Sequence, residues 1–74
     1  MRSETLYLRL PRAQVAFFRF LLEAREGLAM FTSLGADAQG REVLRLLFAP
    51  GGRPGVRAFL ADVQIDCGLE ILAG

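Results

Sequence analysis

The hydrophobic period of this chain switches from 2 to 3.6 and back, twice, and few small folds accommodate that order. Thr5 to Leu10 reads T-L-Y-L-R-L, with Leu6, Leu8 and Leu10 on one face and Thr5, Tyr7 and Arg9 on the other. This is a first strand, which Pro11 stops. Pro11 also suits the first turn of a helix, where its missing N–H costs nothing. Arg12 to Glu26 then repeats apolar residues at helical spacing. Val15, Phe18 and Leu22 form a stripe that Phe17, Leu21 and Ala24 widen, and Arg19 and Glu23 share the far face at i, i+4. Gly27 is the expected left-handed stop.

The second half repeats the scheme. Leu28 to Leu34 is apolar with Phe31 and Thr32, a second strand, and Gly35 to Gly40 supplies a turn. Arg41 to Ala49 alternates again. Leu44, Leu46 and Phe48 point inward and Val43, Arg45 and Leu47 outward, because the opposite register would bury Arg45. Pro50 to Gly55 is loop by composition. A second helix follows to about Ile65, with Val56, Phe59, Leu60 and Val63 at i, i+3, i+4 and i+7. Gly68 breaks it, and Leu69 to Ala73 forms a last short strand.

The predicted order is β-α-β-β-α-β in one domain spanning residues 1–74. Right-handed crossovers put both helices on one face of a four-stranded antiparallel sheet, with strands one and three in the middle. This is an α+β two-layer sandwich of ferredoxin-like type. The predicted core is Leu6, Leu8, Phe18, Leu22, Leu44, Leu46, Phe59, Leu60 and Val63.

Composition narrows the chemistry. Of 74 residues 53% are apolar, more than so small a core can hold, which points to a partner. Nine basic residues, all arginine, stand against eight acidic ones, so no strong field draws nucleic acid or membrane. The absence of Lys and Asn matches the codon bias of a GC-rich genome. With one cysteine and no histidine, a disulfide and the usual zinc, haem and Cys–His sites are excluded within one chain. No apolar run reaches the roughly 20 residues of a membrane helix. Met1-Arg2-Ser3-Glu4 leads straight into the first strand with no signal-peptide pattern, so the expected compartment is the cytoplasm.

The run Phe20-Leu21-Leu22-Glu23-Ala24-Arg25-Glu26-Gly27-Leu28-Ala29 resembles a family of short bacterial proteins known only as a domain of unknown function. The resemblance covers about the first fifty residues and implies no activity. The element order is also similar to that of ACT-type regulatory domains, which implies small-molecule sensing as an alternative reading. Such domains usually carry a glycine after strand one; here that loop is Leu10-Pro11-Arg12-Ala13.

Individual candidates have plainer readings beside the functional ones. Gly51-Gly52-Arg53 ahead of the second helix could hold an anion, but lacks the Walker spacing and its Lys and reads better as a flexible connection between strand and helix. Cys67 has no base beside it in sequence, and Asp66 would raise its pKa, so it reads as a packed small residue. Asp62, Asp66 and Glu70 recur every four residues yet straddle a helix end, which makes them a solvated acidic edge. Glu23 and Glu26 read as solvated helix charge. Tyr7, Arg9 and Arg45 share the open sheet face that RNA-recognition domains use, without a second aromatic or the basic-glycine-aromatic signature. No cofactor or metal is expected, and no catalysis. What remains is a protein-interaction or oligomerisation module. Its contact surface is Tyr7, Arg9, Val43, Arg45, Leu47 and Leu72, and a homodimer is its simplest use.

Overall fold

The computed structural model describes residues 3–73. Its elements are β1 (Glu4–Pro11), α1 (Val15–Glu23), β2 (Met30–Ala36), β3 (Arg41–Phe48), α2 (Arg53–Cys67) and β4 (Glu70–Ala73). One 3-10 turn, Arg12–Gln14, leads into α1 and another, Pro50–Gly52, leads into α2. The strands form one antiparallel sheet in the order β2-β3-β1-β4, so the two most regular strands are central. This is the α+β, ferredoxin-like arrangement that the periodicity predicts.

β1 and β3 pair along their whole length, from Glu4 opposite Phe48 to Pro11 opposite Arg41. That register puts Leu6, Leu8 and Leu10 beside Leu46, Leu44 and Glu42 on the helix side. All nine predicted core residues are buried, joined by Leu10, Phe48, Val56, Cys67 and Leu69. Phe18 is the keystone of the contact between the layers. Its ring lies 5.9 Å from Phe31 of β2, edge-on at 72°, and 5.9 Å from Phe59 of α2. No polar or charged residue is buried among those described.

Several boundaries differ from the sequence reading. Pro11 does not stop β1; it is the last paired residue of the strand, opposite Arg41. The predicted helix over Arg12–Glu26 is a 3-10 turn followed by a nine-residue helix. That helix ends at Glu23, and Ala24 donates its N–H to the Phe20 carbonyl at 3.2 Å. Gly27, at φ +72°, is a turn residue beyond it and not its stop. β2 starts at Met30 and continues through Gly35, which sits in a bulge of the strand. Arg19 lies 5.3 Å from the Phe31 ring centroid and makes no ion pair with Glu23.

The β2–β3 turn is built by Asp37. Its Oδ1 accepts the N–H groups of Gln39 and Arg41, both at 2.9 Å, and its own N–H donates to the Arg41 carbonyl at 2.7 Å. Gly40 closes the turn at φ +79°, the left-handed position of a type I turn with a bulge. α2 begins two residues before the predicted loop ends. Pro54 falls in its first turn, where no N–H is needed, and Gly55 lets Leu28 approach: a Cβ there would lie 3.4 Å from Leu28 Cδ1. α2 ends, as read, at a left-handed Gly68.

Candidate interaction surface

Because both helices pack on one side, the other side of the sheet is bare. Residues directly opposite one another share a face, so the register lays that surface out. Tyr7 is opposite Arg45, Arg9 opposite Val43, and Thr5 opposite Leu47. On β2, Met30 is opposite Leu47 and Thr32 opposite Arg45. On β4, Glu70 is opposite Arg9, and Leu72 lies at the register shift beside Tyr7. Five of the six residues proposed as a contact surface, Tyr7, Arg9, Val43, Arg45 and Leu47, are therefore brought together on β1 and β3, while Leu72 sits in the β4 irregularity with no residue opposite it.

The surface has two parts. Met30 is exposed, at 75%, beside half-buried Tyr7, Val43 and Leu47, and Leu34 and Leu72, exposed at 49% and 43%, sit at the register shifts of the two edge strands. The other part is a charged corner. Arg9 Nη2 is 2.9 Å from Glu70 Oε1, Arg9 Nη1 is 3.1 Å from Asp37 Oδ2, and Arg41 Nη1 is 3.3 Å from Glu70 Oε1. The Asp37 carboxyl is held below the usual carboxylate range, first by the Arg41 backbone N–H, then by that of Gln39 and by Arg9. Arg45 stands at the middle of the face, and its Nε is shielded from water with no acceptor among the described residues. A buried donor left unpaired is costly, so an acceptor from outside would stabilise it. Among the described residues Tyr7 is the one ring on this face; Phe31 and Phe48 turn to the helix side.

Sequence reasoning missed the β2 contribution. Met30, Thr32 and Leu34 alternate in the sequence, and that signal was legible, but the strand's boundaries and its bulge hid which face they take. It also missed Asp37, which reaches across the sheet corner from a turn.

The other candidates lie apart from this face. Arg53 opens α2, donates from Nε to Glu4 Oε1 at 2.7 Å, and lies 5.3 Å from the Phe48 ring centroid. Its charge is thus turned to Glu4, tying the start of α2 to the start of β1. Cys67 is fully buried at the end of α2, and burial, then Asp66, push its thiol up. Asp62 pairs with Arg25 at 3.6 Å and Glu70 with the arginines above; among the described residues no three His, Cys, Asp or Glu side chains converge as metal ligands. Glu23 and Glu26 are exposed. A depression of about 350 Å³ beside the α1–β2 turn is lined by Ser3, Leu28, Met30, Leu47 and Phe48, with no charged side chain among the described residues. No helix among the described residues is long and apolar enough to cross a membrane.

The matched segment decides the family. The family model described as a domain of unknown function, DUF4911, covers residues 8–66. The chain belongs to that family. The DUF4911 match runs from the middle of β1 to near the end of α2, further than the fifty residues the sequence reading allowed. It takes in Arg9, Val43, Arg45 and Leu47, and leaves Tyr7 and Leu72 outside. No curated protein and no solved structure matches the chain.

Proposed function

We propose that this DUF4911 domain is a non-catalytic module that associates with a second copy of itself through the open sheet face. The observation that carries the reading is that face itself: half-buried Tyr7, Val43 and Leu47 with exposed Met30, beside the charged corner of Arg9, Asp37, Arg41 and Glu70. An apolar centre with a charged rim is the composition of a contact surface, and one self-complementary face buries itself twice in a symmetric pair. Tyr7 and Arg45 are neighbours across β1 and β3, so a two-fold axis between them sets each Arg45 over the partner's ring. The apolar depression, as lined by the described residues, offers no counter-charge to an amino-acid ligand. The reading includes a cytoplasmic setting, which the single unpaired thiol favours.

Light scattering tests it. The wild type should have at least twice the chain mass, with an interface burying more than about 1,000 Å² in total. Leu47→Glu, at the centre of the apolar part, should lower that mass twofold with the helical circular dichroism intact. A wild type that stays monomeric at high concentration overturns self-association.

A further inference from the structure

The sheet has two edges, and they are guarded unequally. β4 is four residues long, carries Glu70, and shifts register against β1. Shortness, charge and irregularity are the ordinary devices that keep a sheet edge from pairing. β2 has seven residues, M-F-T-S-L-G-A, with neither charge nor proline. Its bulge comes after Ser33, so Met30 to Ser33 is a regular, open stretch. Two hollows meet at Met30. One is the 350 Å³ apolar depression, and the other, about 290 Å³, lies on the helix side between Arg19, Leu22 and Glu23 of α1 and Phe31 of β2. An added strand directs alternate side chains to opposite faces of the sheet, and hollows beside the edge can receive them.

We infer that β2 pairs antiparallel with β2 of a second copy, joining two sheets into one of eight strands. Charge selects this occupant. About a two-fold axis a strand faces its own sequence, so a charged edge opposes itself, whereas β2 does not. The helix-side hollow carries one charge of each sign, and the two-fold sets Arg19 of one copy toward Glu23 of the other. A uniformly acidic or basic peptide would meet one like charge there. The edge axis is perpendicular to the sheet and the open-face axis lies parallel to it. Where such axes cross, four copies close into a dihedral assembly with no free apolar edge. Edge pairing does not rest on the open-face reading; alone it gives a dimer.

Ser33 hydrogen-bonds Glu42 on the helix side of the edge, away from the open face, so Ser33→Lys charges the edge alone. With both contacts present, sedimentation of the wild type should give four chains. Ser33→Lys and Leu47→Glu should each give two, and the double variant one. Hydrogen exchange of the outward-facing Met30–Ser33 amides should slow with rising concentration in the wild type and in Leu47→Glu, and not in Ser33→Lys. Exchange of those amides that is equally fast at every wild-type concentration overturns edge pairing, and needs no variant. If Leu47→Glu alone yields a monomer, edge pairing is wrong and the face contact stands. If Ser33→Lys alone yields a monomer, the reverse holds.

Discussion

At the scale of single residues, burial without polar chemistry is the rule, and Cys67 shows what it does to reactivity. A thiol attacks as thiolate, and the thiolate is the form that burial and the neighbouring Asp66 disfavour. Iodoacetamide should therefore label Cys67 at neutral pH only as fast as the domain opens, and far faster in urea. Rapid labelling of the native domain would remove the basis for reading it as inert. The same shift fixes a sign for stability. A raised native pKa means the folded state holds its proton longer than the unfolded one. The contribution is complete below the unfolded thiol pKa, about 8.5, and is lost as the pH climbs toward the higher native value. Denaturation midpoints should fall over that range, and Cys67→Ala should flatten the fall. Arg45 is the other telling residue. The alternation around it already placed it outside, but only the packed neighbours reveal that its Nε is hidden from water without a partner.

At the scale of elements, the hydrophobic period made all six regular elements and the strand order legible, because each switch of period follows from which face is buried. The ends were less legible, and for reasons particular to each. Pro11 remains in β1 because strand ends tolerate a missing donor. α2 absorbs Pro54 and Gly55 because a first turn needs no N–H and because Leu28 packs against the glycine. α1 stops early although Ala24, Arg25 and Glu26 are sound helix formers, since no core-facing residue follows Leu22 until Leu28. The β2–β3 hairpin was placed as a turn, but its mechanism, Asp37 holding two N–H groups, depends on a register the sequence does not display. Gly40 tests that mechanism. Its φ of +79° suits glycine, and nothing lies within 4 Å of the place a Cβ would take, so Gly40→Ala isolates backbone strain from crowding. It should cost about 1–2 kcal/mol in urea denaturation. An unchanged midpoint would mean that the turn relaxes to another type.

At the scale of the whole molecule, the open face combines an apolar field with a set of arginines, and their balance governs association. Arg9, Arg41 and Arg45 lie on that side, offset near neutral pH by Asp37 and Glu70. The apolar part should hold two copies together nearly independently of salt, since screening acts on charges and not on buried hydrocarbon. Acid acts differently. The native Asp37 carboxyl titrates below the usual range, so its ion pair with Arg9 survives mild acidification and its contribution is lost as the pH falls through that depressed value. Once Asp37 is protonated that offset weakens, and three guanidinium groups on each copy face three on the other across a two-fold axis. Among the described residues the helix side of the sheet holds no buried ionisable group apart from the Cys67 thiol, which is already neutral, so acid costs the fold chiefly the β2–β3 turn that Asp37 holds. Dissociation should accordingly precede unfolding. Sedimentation against pH should show the face contact parting only below the ordinary carboxylate range, where Asp37 takes up its proton, while the far-ultraviolet circular dichroism is still native. At that pH, salt should restore association by screening the arginines, the opposite of its effect on a charge-held interface. If association and helicity are lost together, at one pH and with one slope, the open face supports the fold of each chain and is not a separable docking surface.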